Sequence, residues 1–126
     1  MARKRQEGMT DRETEIMSSL WSRDESTAED VRSDLGGHLA DSTVRTMLSV
    51  MESKGYVSSR MGGRIRVYRA FVERSQAQSK ALDSIVRRLF QGSPDALVAR
   101  LVDDEHLSLE ELDQLRAALS KARKED

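Results

Sequence analysis

The stretch that decides the fold is residues 41–70, "DSTVRTMLSVMESKGYVSSRMGGRIRVYRA". In its first half the apolar residues Val44, Met47, Leu48 and Met51 recur at helical spacing, and Gly55 follows as a left-handed cap. In its second half the period changes. "YVSSR" and "RIRVYRAFV" alternate apolar with basic or polar residues, and Met61, Gly62 and Gly63 lie between them, which predicts a β-hairpin. The helix opens oddly. Ser42, Thr43 and Thr46 are mediocre helix formers and only Arg45 is a good one. A surface with no task carries Glu, Lys and Ala there more often.

Upstream, Thr10 and Glu13 make a capping-box pattern ahead of a helix over 11–21, with Ile16, Met17, Leu20 and Trp21 as its apolar stripe. "SRDEST" at 22–27 reads as a turn. Ser26 or Thr27 caps a second helix over 28–35 with Val31 and Leu35 inward, and Gly36–Gly37 stops it. Downstream of about Glu73 the helical period returns. Leu82, Ile85, Val86, Leu89 and Phe90 form one stripe. Ser93 then Pro94 opens a short helix with Leu97, Val98, Leu101 and Val102. Ser108 and Glu111 form another capping box ahead of Leu112, Leu115 and Leu119. The charged tail "KARKED" is expected to fray. Three helices, a hairpin and three more helices give a mainly α fold with a small β-hairpin. This is a winged helix-turn-helix followed by a helical region.

The chain has 126 residues and a net charge of −1, but the charge is unevenly placed. Residues 42–70 carry six bases against Glu52 alone, whereas residues 7–41 carry ten acids against three arginines. A basic block inside an acidic chain is a local field of the kind phosphate binding uses. There is no cysteine, which excludes disulfides, thiolate metal sites and cysteine nucleophiles. No apolar run has the length of a membrane span, and "MARKRQEGM" lacks the apolar segment of a secretory signal. The expectation is a cytoplasmic protein that does not enter membranes. Its expected parts are a basic disordered tail at 1–8, a winged-helix DNA-binding domain at 9–72 and a helical dimerisation region at 73–126.

Taken together, "MTDRETEIMSSLW", "STAEDVRSDL", "STVRTMLSVMESKGYV" and "GGRIRVYRA" resemble the penicillinase-repressor family of BlaI/MecI-like and copper-responsive bacterial winged-helix repressors. The resemblance is collinear from residue 9 to about 70 and looser over the remaining helices. It implies a homodimeric transcriptional repressor on an inverted-repeat, palindromic operator in double-stranded DNA. It also implies that Ser42, Thr43, Arg45 and Thr46 approach bases and phosphates.

Two switches of the family fit this sequence poorly. The Asn–Phe bond cleaved in the β-lactam-linked members aligns with Arg100–Leu101, so a sensor-protease partner lacks its expected bond. The cysteine cluster of the copper-responsive members is absent. The family's serine before the recognition helix is replaced by Ala40, so Asp41 or Ser42 is expected to cap instead.

Each assignment competes with a plainer one. Ser42 and Thr43 are either caps or, with Thr46, hydroxyl and methyl contacts to bases, while Arg45 reaches a guanine edge or a phosphate. Arg60, Arg64 and Arg66 are either charges that protect an edge strand or phosphate clamps, with Arg64 at the tip also suited to a minor groove. Lys54 is assigned to the helix dipole and Trp21 to the core. His38 and His106 lack the clustered ligands of a metal site, so no metal or cofactor is expected. The downstream stripes are core in any reading. Three short helices are marginal alone, so Leu82, Ile85, Leu89, Leu97, Leu101, Leu112, Leu115 and Leu119 are assigned to a core shared by two copies. No nucleophile–base pair or phosphate loop suggests an enzyme. The alternative function is a winged helix that binds proteins rather than specific DNA.

Overall fold

The structure, a computed structural model, describes residues 8–125. The expected basic tail therefore lies, apart from Gly8, outside the described residues. The elements run α1 (Asp11–Trp21), β1 (Ser26–Thr27), α2 (Ala28–Asp34), α3 (Asp41–Ser53), β2 (Val57–Gly62), β3 (Ile65–Ala70), α4 (Arg74–Leu89), α5 (Pro94–Asp103) and α6 (Leu109–Glu125). They fall into two compact units, residues 1–82 and 83–126, with α4 crossing the division.

In the first unit, local chemistry sets most of the helix ends. Thr10 Oγ1 accepts from the Glu13 N–H at 3.1 Å, and the Glu13 carboxylate accepts from the Thr10 N–H at 2.9 Å. Thr27, rather than Ser26, caps α2 in the same reciprocal way with Asp30. The capping expected for α3 is not found. Its N-cap is Ala40, which makes no side-chain cap bond, while Asp41 and Ser42 already lie inside the helix. A residue caps from the extended position before the first turn, and Ala40 occupies that position with φ −67° and ψ 149°. The C-terminus of α3 closes as expected, with Gly55 at φ +84° just beyond the Lys54 cap.

The sheet has three strands, ordered β1–β3–β2, not two. β2 and β3 pair antiparallel from Val57↔Ala70 to Gly62↔Ile65, leaving Gly63–Arg64 as a two-residue turn. Gly63 has φ +69°, which suits the first central position of a type II′ hairpin. Met61 and Gly62, expected in the connection, are the last residues of β2. Beyond the hairpin, Ser26↔Tyr68 and Thr27↔Val67 add a short third strand on the free edge of β3.

One core fills this unit. It comprises Ile16, Met17 and Leu20 from α1, Ala28 and Val31 from α2, Val44, Leu48 and Met51 from α3, Val57 from β2 and Tyr68 from β3. Trp21, Leu35, Met47 and Tyr56 pack against it half-buried. The Trp21 indole N–H donates to the Val72 carbonyl at 2.9 Å, tying the end of α1 to the chain after the wing. Arg32 donates from Nε to the Leu39 carbonyl at 2.9 Å and so braces the turn between α2 and α3.

Glu13 is buried, at 4% exposure. Lys54, at the far end of α3, donates to its second oxygen at 2.8 Å. Burial raises a carboxyl's pKa, but here the Lys54 and Thr10 hydrogen bonds outweigh it and Glu13 sits below its ordinary value. The same bond raises Lys54. Lys54 thus holds α3 to α1, a larger role than the helix-dipole one expected for it.

The second unit contains the end of α4, then α5 capped by the Ser93 hydroxyl at the Ala96 N–H, then α6 opened by the reciprocal Ser108–Glu111 box. α6 continues through "KARKE", since Lys, Ala, Arg and Glu are all strong helix formers.

Two outcomes follow from these local interactions. Ala40→Ser supplies the missing cap and is expected to raise stability by about 1 kcal/mol, measured by urea unfolding. An unchanged midpoint would show that α3's first turn has no unmet need for a cap. Lys54→Met leaves Glu13 buried without its cation and is expected to cost about 1–2 kcal/mol, a range already discounted for the exposure of Lys54. In the native protein the Glu13 contribution is complete above the ordinary carboxyl pKa and is lost as pH falls through the lowered folded value. In the variant that loss is expected to begin at higher pH, measured as unfolding midpoint against pH.

Candidate nucleic-acid interface

α3 buries one side and leaves the other bare. Val44, Leu48 and Met51 point into the core. At 100° per residue the opposite side carries Ser42, Thr46, Ser49 and Ser53, with Arg45 on one flank and Thr43 and Val50 on the other. All seven are exposed, and Val50 is 47% exposed. The side chains are short, so the helix backbone can approach a groove closely. Ser49 and Val50 were not singled out from the sequence, although the same helical spacing that gives the core stripe also gives them.

The four expected residues of α3 lie together on this side, but Arg45 has a partner of its own. Its Nε donates to Asp41 Oδ2 at 2.7 Å, one turn back. An exposed pair of this kind is weak and exchangeable.

The wing divides its arginines by strand alternation. Register places Arg66, Tyr68 and Val57 on one face of the hairpin and Arg60 and Arg69 on the other. On the first face, Ser59 Oγ donates to Glu52 Oε2 at 2.7 Å and accepts from Arg66 Nη1 at 3.0 Å. One hydroxyl therefore links α3 to the hairpin and holds Arg66 on the α3 side. On the second face, Arg60 donates to both oxygens of Glu25, at 3.0 and 2.6 Å. The Arg60 hydrogen bonds hold Glu25 below its ordinary pKa, and Arg69 adds to this. Glu25 lies in the turn before β1 and is 35 residues from Arg60 in the chain, a pairing that no local pattern reveals. Arg64 stands exposed at the tip and, among the described residues, has no hydrogen-bond or ion-pair partner.

The remaining expected residues lie elsewhere. Leu82 ends the first unit, while Ile85, Leu89, Leu97, Leu101, Leu112, Leu115 and Leu119 belong to the second. Leu97, Leu101 and Leu112 are half-buried and the other five are exposed. Among the described residues, no three histidine, aspartate or glutamate side chains gather as a metal ion requires. No helix there is long and apolar enough to cross a membrane.

This arrangement is one of short polar groups on a helix beside an arginine-bearing hairpin. The methicillin resistance regulatory protein MecI of Staphylococcus aureus (strain N315) is 25% identical over 111 residues, covering 86% of this chain and 90% of MecI. The penicillinase repressor of Bacillus licheniformis is 25% identical over 115 residues, covering 90% of each chain. Among solved structures, a mutant of the winged-helix protein MarR from E. coli superposes with a TM-score of 0.50 at 17% identity, over 90% of this chain and 77% of that one, which is a likeness of fold. A sequence model of the penicillinase repressor family matches residues 9–121, nearly the whole described chain, and the chain belongs to that family.

Proposed function

We propose that this protein is a DNA-binding transcriptional repressor that acts as a homodimer on an inverted-repeat operator. Family membership and the winged-helix fold support the repressor. The observation that carries the interface is the bare side of α3, with Ser42, Thr43, Arg45 and Thr46, set beside a wing whose tip arginine has no partner among the described residues.

In this reading α3 enters the major groove. Thr46 and Thr43 offer a hydroxyl and a methyl to base edges, and Arg45 exchanges Asp41 for a guanine edge or a phosphate. Arg64 and Arg66 contact the backbone or an adjacent minor groove. Arg60 contributes once Glu25 releases it. The division of labour gives base reading to α3 and much of the affinity to the wing.

The homodimer is proposed from the second unit. Among its described residues none of the apolar side chains is buried, and Leu89, Leu115 and Leu119 are 66%, 50% and 58% exposed. Apolar stripes on three helices with no enclosed core are what a second copy would cover. The winged helix would then be residues 9–72 and the dimerisation region residues 73–126. Binding chromosomal DNA places the protein in the cytoplasm. A sensor-protease is a poor fit as the source of the inducing signal, since Arg100–Leu101 stands where the family's cleaved Asn–Phe bond is expected. An enzymatic role has no support from the family's repressors.

The test begins with binding sites selected from a random duplex library and a salt titration of each. Arg64→Ala is expected to weaken binding to selected and random duplexes alike and to reduce the salt slope by about 1 per subunit. Thr46→Ala is expected to cost about 1 kcal/mol at one base position of the selected site and little on random DNA. Failure to retard any duplex, or salt-independent binding, would leave the protein-binding winged helix as the better reading. For the dimer, Leu115→Glu combined with Leu119→Glu is expected to give monomers by sedimentation and a large loss of operator affinity. A variant that stays dimeric would move the interface away from α6.

A further inference from the structure

The first unit contains a groove that the proposed DNA contacts do not use. It lies between the end of α1 and the start of α4 and encloses about 890 Å³, which is within the range of small-molecule sites. Trp21, Tyr56, Phe71 and Val72 supply apolar wall, and Arg74 and Lys80 stand at its edge.

Three features mark it as a preformed site. The Trp21 ring is fixed at its edge by the indole N–H donating to the Val72 carbonyl at 2.9 Å. Phe71 is 71% exposed, the most exposed of the chain's large apolar side chains so described. It is nevertheless not on a loose segment, since the N–H groups of Phe71 and Val72 both donate to the Tyr56 carbonyl, at 2.9 and 3.2 Å. An aromatic ring held out of the core by ordered backbone is a surface awaiting a partner. Third, the Arg74 guanidinium lies over the Trp21 ring, 5.5 Å from its centroid, which leaves its N–H donors without a carboxylate. Among the described residues neither Arg74 nor Lys80 has an ion-pair partner. Among the described residues of the lining, Glu73 is the one acid, against the two cations Arg74 and Lys80.

We propose that this groove binds a small aromatic carboxylate. Its ring would lie against the exposed Phe71 ring, beside the Arg74 guanidinium that covers Trp21, and its carboxylate would take the paired donors of Arg74, with Lys80 as a second cation. Charge complementarity selects this occupant. A neutral or cationic ring would use the same walls but leave two cations unanswered. A second copy of the chain would have to present an acidic aromatic segment to do the same.

The chain has a single tryptophan, so its indole N–H gives one NMR cross-peak placed at the groove. Naphthalene-2-carboxylate titrated into the full-length protein is expected to move that peak saturably with a Kd below about 1 mM. The uncharged naphthalene-2-carboxamide is expected to bind at least about tenfold more weakly. Arg74→Gln should erase most of that difference while leaving the thermal unfolding midpoint near the native value, and Arg74→Lys should retain part of it. Three results would overturn the proposal: no saturable shift at millimolar probe, equal binding of acid and amide to the native protein, or an undiminished preference for the acid in Arg74→Gln. Sedimentation of Phe71→Ser separates the remaining occupant. A dimer that dissociates on this change alone would show that a second copy covers the groove, and the small-ligand site would be withdrawn.

Discussion

The burial of Val44, Leu48 and Met51 on one side of α3 is the constraint that everything else accommodates. These three side chains are fully enclosed, and removing any one of them to alanine would cost roughly 2–5 kcal/mol for a residue of Leu or Met size. Such a stripe leaves α3 no freedom to roll, so the identity of its outward residues follows from the identity of its inward ones. The core residues of α1 and α2 complete the enclosure, and β2 and β3 close it with Val57 and Tyr68. Lys54 then fixes the far end of the helix by reaching the buried Glu13, whose other oxygen is engaged with the start of α1. One carboxylate therefore helps cap one helix and anchors another.

The electrostatics of the presented surface are more restrained than the count of bases implies. Six bases against one acid in residues 42–70 suggest a strong field, yet Arg45 is paired with Asp41 and Arg60 with Glu25 in the folded chain. Both acids lie outside the basic block, so folding partly neutralises what the sequence concentrates. Arg64, at the wing tip, has no partner among the described residues, and Arg66 is half-committed through a neutral hydroxyl. On the proposed reading, binding DNA is an exchange of carboxylate for phosphate at Arg45 and Arg60 and a direct gain at Arg64. An exchange favours sites where the new contact is well made over sites where it is not.

Much of this was legible in the sequence because it is local. Capping boxes span three residues, helical stripes repeat within two turns, and the hairpin announces itself by alternation around a glycine turn. The bounds of α1, the α3 core stripe and the Ser93 and Ser108 caps all follow from such spacing. What was not legible is of two kinds. Some features are non-local: β1 is two residues whose strand character comes from Tyr68 and Val67 some forty residues on, and the Glu25–Arg60 and Glu13–Lys54 pairs also join distant segments. Others come from missing chemistry. Ala40 caps α3 without a capping side chain because the core stripe, not the cap, decides where α3 starts. In α6 the charged composition of the tail hides residues that individually favour the helix.

The contrast between the two units makes the strongest case for assembly. Residues 8–82 close a core of ten buried apolar residues from five different elements. Residues 83–125 contain comparable apolar stripes on α4, α5 and α6, yet Ser84 is the one buried residue described among them. A sequence that places Leu, Ile and Val at helical spacing over three helices is specified for burial, and such patterning without enclosure supports the proposed shared interface. The capping supports this. Ser93 and the Ser108–Glu111 box define where α5 and α6 begin independently of any packing, so the helices can persist while their apolar faces await a partner. The first unit is thus organised by its own core; on the proposed reading, the second is completed by a second copy.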